Sequence, residues 1–302
     1  MRSPLVPLVL AAACGATPPA ATPAPPPATA SAELSPALAP LAWLLGDYQL
    51  TSIEAWQGNE HSTAAAGGSE HWVAAAGALY GVGFAQAGAP FDVMIIDDGD
   101  GPGAPDGVLR FVAMPGGARA VEFRATEAAL ASGTASFASE GNEFPRTIGY
   151  GATPDGVAAL LQGTPPGGPR KELFSFLRTT AAPAPELEAA DLAFAADTGQ
   201  RGVAGWVAAF EPGGAMMRRG ARIEGAAAIG DAMRDLLASG RLAWVPVASR
   251  RRGDLGFTVG KATFTGATPA DAWKSTYVTV WRRQPDGTWK VLFDTGRLVN
   301  EP

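Results

Sequence analysis

Two histidines and one cysteine stand among 302 residues, which narrows the imidazole and thiol chemistry open to this chain. Each histidine follows a glutamate, as Glu60-His61 and then Glu70-His71. A neutral imidazole beside a carboxylate can act as a general base or a metal ligand. Two such pairs together could hold a metal. Adjacent residues on a strand point to opposite faces, however, so neither pair converges locally. The expectation is therefore no metal and no cofactor, with Glu70, His71 and Trp72 the motif to follow and His71 first among them. The run Asp97-Asp98-Gly99-Asp100-Gly101 begins like a calcium loop, but Pro102 takes the next ligand position and no Glu completes the set. It reads as a solvated hairpin loop. Arg250-Arg251-Arg252 reads as a strand end that blunts a sheet edge.

No histidine follows residue 71, which removes a Ser–His or Cys–His nucleophile from the C-terminal half. Asp254, Asp294 and Tyr277 remain as candidate catalytic residues by type. A carboxylate base with hydrogen-bond donors in an apolar cavity is the equipment of proton-transfer isomerases. Asp254 starts a strand and Asp294 ends one, positions that suit turns equally well. Tyr277, Thr279 and Trp281 share one strand face. With Trp206, Trp244 and Trp273 they offer aromatic surface, so Trp206, Trp244, Tyr277 and Trp281 are the candidate lining of a pocket for an apolar ring. The plainer alternative is that these rings are core.

Composition bounds the rest. Hydrophobic residues are 47% and charged residues 17%, a globular balance. Lys+Arg 23 against Asp+Glu 29 gives net charge -6, which lacks the basic footprint of a nucleic-acid binder. One cysteine excludes an internal disulfide framework and a multi-cysteine zinc site. Length favours two domains. Met1-Arg2-Ser3-Pro4 precedes an apolar run, Leu5 to Ala13, and then Cys14. That is a targeting segment, too short to span a bilayer. Leu10-Ala11-Ala12-Ala13-Cys14 resembles a bacterial lipoprotein signal. The resemblance implies export, a lipidated Cys14 anchoring the chain to a membrane, and a periplasm-facing place on the outer membrane, since Gly15 rather than Asp follows. Residues 1–14 are thus the signal, and 15–36 a Pro/Ala-rich tether.

Residues 37–179 read as many short strands between Gly/Pro/Asp turns, which argues a sandwich or barrel, closure being the economical way to remove edges. Leu41-Ala42-Trp43-Leu44-Leu45-Gly46, Ser69-Glu70-His71-Trp72, Gly77 to Gly83 and Asn142 to Tyr150 come in a set order. This resembles an uncharacterised bacterial domain family with a lipocalin-like (calycin-like) β-barrel. Thr179-Thr180-Ala181-Ala182-Pro183-Ala184-Pro185 breaks the pattern, giving a linker at 180–187. From 188 to 302 the period changes. Helices are predicted over 186–198, from Val203 to Phe210, and on the stripe Ala226, Ile229, Met233, Leu236 and Leu237. Four long strands follow, so this half is α+β. Leu242-Ala243-Trp244-Val245-Pro246, the run Gly253 to Gly260, and Tyr277 to Val291 resemble the SnoaL-like, nuclear transport factor 2-like superfamily, whose members include ketosteroid isomerase. The resemblance implies a cone-shaped α+β barrel with an internal pocket, and often a dimer across the sheet.

The expected function is a non-catalytic binding or accessory module of the cell envelope, with a small apolar ligand in one or both domains. An enzyme of the ketosteroid-isomerase type, working by general acid/base chemistry on a small apolar substrate, stands second. A scaffold that forms a homodimer through its second domain stands third.

Overall fold

The computed structural model describes residues 33–85, 90–99, 108–126 and 133–299. The signal segment with Cys14, most of the tether, and residues 100–102 of the Asp-rich loop lie outside the described residues.

The first eleven strands are β1 (Gly46–Gln57), β2 (Glu60–Ala65), β3 (Ser69–Ala75), β4 (Ala78–Phe84), β5 (Phe91–Asp97), β6 (Arg110–Pro115), β7 (Val121–Ala125), β8 (Thr134–Ala138), β9 (Thr147–Thr153), β10 (Gly156–Gly163) and β11 (Arg170–Thr179). Each pairs antiparallel with its neighbours, and β11 returns to pair with β1, which closes a ring of ten strands. β2 stands outside the ring, on Ser52 to Gln57 of β1, where β3 has already left. Sequence patterning missed β2 because Glu60-His61-Ser62-Thr63 has no apolar alternation; only the partner strand defines it.

Alternation sends Trp72, Phe111, Phe123, Phe137 and Tyr150 into the ring, where they form one core cluster. A 3-10 turn, Ala39–Leu44, packs buried Leu38, Leu41 and Leu44 against that core. The Arg178 guanidinium donates to the carbonyls of Leu45 at 2.8 Å and Trp43 at 2.9 Å, and to the Tyr48 hydroxyl at 2.7 Å. A side chain at Gly46 would overlap that guanidinium, and its φ of 145° favours glycine. The leucine-rich entry motif is therefore a buttress of the ring, closed by one arginine.

The second half runs α1 (Pro185–Arg201), α2 (Val203–Ala208), β12 (Phe210–Arg218), β13 (Ala221–Glu224), α3 (Ala226–Ser239), β14 (Arg241–Arg252), β15 (Leu255–Thr265), β16 (Trp273–Arg283) and β17 (Trp289–Val299). The sheet order is β13-β12-β17-β16-β15-β14, and β12 runs parallel to β17. α1 starts in the predicted linker because Pro185 pre-sets the first helical φ, with Glu186 and Glu188 at the positive end of the helix dipole. Leu187, Asp191, Phe194 and Thr198 make its buried stripe.

The two halves do not pack as separate bodies. A third buried cluster takes Tyr80, Val82, Phe84, Phe91, Val93 and Ile95 from the outer face of the ring. It takes Phe257, Val259, Val278, Val280 and Phe293 from the six-stranded sheet. Phe257 lies 6.2 Å from Phe84 and Phe293 lies 5.6 Å from Phe91, centroid to centroid. The barrel thus covers the outer face of the six-stranded sheet. The arginine run also differs from expectation. Arg250 binds Asp47, Arg251 pairs with Glu186, and Arg252 reaches the Gly67 carbonyl, so two of the three clamp the sheet to the barrel. Asp97 is no solvated loop residue: it is buried, accepting from Arg110 at 2.9 Å and from Arg297 of the other half at 3.0 Å.

A shared core predicts shared unfolding. Phe257→Ala should destabilise the chain by about 3–5 kcal/mol, the usual cost of deleting a buried phenylalanine. Urea transitions followed by tryptophan fluorescence and far-UV circular dichroism should shift together. Loss of one half while the other keeps its transition would refute the shared core.

Candidate functional site

The inner face of the six-stranded sheet and the helices enclose a cavity of about 320 Å³. Phe194, Trp206, Leu242, Trp244 and Trp273 supply its apolar wall, and Tyr277, Thr279 and Asp294 its polar side, with Ser275, Arg218, Arg219 and Arg297 also on its border. Tyr277 and Thr279 alternate on β16, and Asp294 pairs with Thr279 across β17. Thr279 Oγ1 donates to Asp294 Oδ1 at 2.8 Å. Among the described residues Oδ2 has no hydrogen-bond partner. Burial raises the Asp294 carboxyl to about 7, against the lowering effect of the Thr279 bond, and nearby Asp191 adds to the rise.

Tyr277 is placed by a glycine. Gly260 faces it across β15 and β16, and a side chain there would overlap the phenol ring. The Tyr277 hydroxyl donates to Asp191 Oδ2 at 2.8 Å, and Trp244 Nε1 donates to Oδ1 at 2.7 Å. Asp191 thus holds both rings from the buried face of α1, while burial raises its own carboxyl. Burial and the Asp191 charge also push the Tyr277 phenol up, so it keeps its proton, and that proton is spent on Asp191. Sequence reading missed Asp191. Its one signal was a carboxylate between Leu187 and Phe194 on the buried stripe of α1.

The other candidates part company. Trp281 is core: 1% exposed, its Nε1 donates to Thr258 Oγ1 at 3.0 Å, and it does not line the cavity. The helices reach over that end of the sheet, with Phe194 6.3 Å from its ring. Asp254 is exposed in the β14–β15 turn, away from Asp294 and Tyr277. Trp206 and Trp244 line the cavity and pack against Phe194, tilted and edge-on respectively, each at 4.8 Å.

In the barrel, alternation divides the Glu70-His71-Trp72 motif. Glu70 and Trp72 face inward, and Trp72 Nε1 donates to Glu70 Oε1 at 2.6 Å. Tyr150 OH donates to Oε2 at 3.4 Å. Burial raises Glu70 to about 7 against these two bonds. Gly81, opposite Trp72, leaves the room its indole fills. His71 faces outward into the shared core, 5.7 Å from Phe257. Its Nδ1 lies 2.8 Å from Asp47 Oδ1 and its Nε2 lies 3.1 Å from Ser69 Oγ. The order resembles a nucleophile chain. All three residues are nonetheless buried, and Asp47 also carries Arg250 at 2.8 Å and the Ala181 N–H at 3.2 Å. Burial would raise the Asp47 carboxyl, but these bonds outweigh it and hold it below its ordinary value. His71 orients Asp47, and Asp47 takes the Arg250 guanidinium from the other half. His61 sits elsewhere, stacked on Trp56 and 3.3 Å from Glu54. Among the described residues no cluster of three or more His, Cys, Asp or Glu side chains is placed to hold a metal ion.

No protein-family model matches the chain, and no curated protein matches it. Solved structures do resemble part of it. A ketosteroid isomerase-like protein from Erwinia carotovora is 14% identical over 39% of this chain and 96% of that one, with a TM-score of 0.35. An NTF2-like protein with a cystatin-like fold from Novosphingobium aromaticivorans is 18% identical over 39% and 82%, at 0.34. An NTF2-like protein of unknown function from Pseudomonas putida is 12% identical over 38% and 89%, at 0.33. At these identities no residue of those proteins assigns a role to one here.

The raised carboxyl sets a stability slope. Folded Asp294 binds its proton more tightly than the unfolded chain does, at about 7 against 3.8. Its contribution is full below pH about 4 and is lost as pH rises to about 7, on the order of 4 kcal/mol in all. Urea midpoints should therefore fall less between pH 4.5 and 7.5 in Asp294→Asn than in the native chain. Equal slopes would show that the carboxyl is not raised.

Proposed function

We propose that the six-stranded half is a binding module for a small ring-bearing apolar molecule with one hydrogen-bonding head group. One observation carries the reading: an aromatic cavity of about 320 Å³ with a single unengaged carboxyl oxygen, Asp294 Oδ2, on its polar side. The volume and the mainly aromatic lining suit a small organic ligand. A protonated Asp294 would donate to a carbonyl or hydroxyl, and an ionised one would accept from a hydroxyl or amine.

Proton transfer on such a molecule is the second reading, favoured by an Asp294 carboxyl that changes charge near neutral pH. It stands second because the Tyr277 proton is committed to Asp191, which leaves no free phenol donor to stabilise an oxyanion. The scaffold reading has the least support, since the interior is not filled. With the resemblance of the N-terminus, we propose that this binder is exported and held at the envelope by lipid on Cys14. Cys14→Ala should release it from the membrane fraction.

Titration of the purified chain with 2-naphthol tests the reading. Binding should be lost in Leu242→Trp, which fills the cavity, and should weaken about 10- to 100-fold in Asp294→Asn, the usual worth of one buried charged hydrogen bond. Unchanged affinity in both variants would overturn it. Native mass spectrometry of envelope-purified protein should show a retained small molecule. A retained molecule that is chemically altered on incubation with the native chain, but not with Asp294→Asn, would move the assignment to the second reading.

A further inference from the structure

The barrel carries a cavity of its own, about 360 Å³, on the inner face of the ring. We propose that it binds an apolar amine, with the ammonium seated over Gly83 between the carboxyls of Glu70 and Asp92 and the apolar body among the rings below. The row that supports this is set by register. Glu70 on β3 pairs with Gly83 on β4, and Gly83 pairs with Asp92 on β5. All three face inward, in step with Trp72 on β3 and with Met94 and Ile96 on β5. Two strand spacings, about 9.5 Å, separate the two carboxyl-bearing positions, and the position between them has no side chain. The result is a gap flanked by two acids, one buried and one at the exposed rim.

The neighbours of the gap argue for a cation. Among the described residues neither carboxyl has an ion-pair partner. Glu70 has the Trp72 indole and the Tyr150 phenol, and Asp92 has the Gly116 N–H at 3.3 Å. Arg119 also borders the cavity, but its guanidinium donates to Asn142 Oδ1 at 3.3 Å. Phe111, Phe123, Phe144 and Tyr150 line the remainder, and aromatic faces attract an ammonium group. Once Glu70 is ionised, an anionic ligand would meet two carboxylates, with the nearby Arg119 guanidinium already on Asn142. A neutral ligand would leave the two acids facing each other across the gap. An ammonium group answers both and makes charge-assisted hydrogen bonds.

Glu70 also gives the site a pH signature. Burial first, and then the Asp92 charge, raise its carboxyl to about 7. The groups around it are Trp72 on its own strand, Tyr48 opposite it on β1, Tyr150, Asp92, whose own carboxyl burial raises, and Arg119. Burial keeps the Tyr150 phenol protonated throughout. Amine affinity should therefore rise as pH climbs through about 7 and Glu70 ionises.

The test is calorimetric titration of the full chain with 2-(2-naphthyl)ethylamine, its alcohol 2-(2-naphthyl)ethanol and the acid 2-naphthylacetate. At pH 8 the amine should bind at least tenfold more tightly than the alcohol, about the worth of one charge-assisted contact. The acid should bind more weakly than either. Amine affinity at pH 8 should exceed that at pH 6. Glu70→Gln keeps an acceptor for Trp72 and should abolish both the amine preference and the pH dependence. Gly83→Val serves as the second variant. A Cβ at Gly83 meets Asp92 Cβ at 3.7 Å and Met94 Cε at 3.9 Å, ordinary contacts, so the strand can accept it while its methyls close the gap. Amine binding should be lost there with the thermal transition retained. Equal affinity for amine and alcohol, or amine binding that survives both variants, would overturn the proposal. Survival in both would place that amine elsewhere, the Asp294 cavity included, so this result and the 2-naphthol titration fail independently.

Discussion

Everything in this molecule leans on the contact between two sheets. The outer face of β3 to β5 lies against the outer face of β15 to β17, and the residues between them are close to fully buried. A strand has only two faces, so committing one to this contact fixes what the other can present. Val278 and Val280 go into the shared core, and Tyr277 and Thr279 therefore face the aromatic cavity. Phe293 goes in, and Asp294 faces out of it into the same cavity. On the barrel side Val93 goes in and Asp92 faces the barrel lumen, while His71 goes in and Glu70 faces the lumen. One buried interface thus sets the polarity of both cavities. A one-residue slip in β5 or β17 would exchange a carboxyl for an apolar side chain on each side at once.

The buried polar groups fall into two kinds. Some sets are closed around a carboxylate: Asp47 with His71 and Arg250, Asp97 with Arg110 and Arg297 (whose Nη1 alone has no partner among the described residues), Asp191 with Trp244 and Tyr277. Each joins elements distant in sequence, and the first two join the halves. Removing one partner from such a set leaves an uncompensated group in an apolar setting, which is costly. Closed sets therefore hold the structure in register. Asp294 and Glu70 are different. Each has fewer donors than its carboxyl can accept, each borders open volume, and burial lifts each toward neutral pH. Arg297 connects the two kinds, since it lines the aromatic cavity while its guanidinium is held by Asp97 of the barrel.

Several motif glycines had a structural reason that patterning does not reveal. Gly46 clears the Arg178 guanidinium, Gly81 clears the Trp72 indole, and Gly260 clears the Tyr277 phenol. Each partner is a cross-strand or far-chain residue, so a scan along the chain sees only an isolated glycine. The same limit explains the errors. Trp281 shares a strand face with Tyr277, but the helices pack over its end of the sheet and fill the space around it. Asp254 and Asp294 look alike as strand-terminal acids until the sheet order places one in a turn and the other over a cavity. Arg250 looks like an edge charge until the barrel is set against that edge.

Local periodicity and turn chemistry determined the short strands of the first half and the helices and four long strands of the second, and composition gave the acidic, cysteine-poor character. Those follow from φ/ψ preference, alternation and charge, which are properties of neighbouring residues. Closure of the ring by β11 on β1, the merger of the two halves through one core, and the placement of Glu70 beside Asp92 and of Asp294 beside Tyr277 were decided only in three dimensions. Each depends on pairing between residues far apart in the chain. The energy of such pairing comes from burying a common surface, and that surface does not exist until the sheets have met.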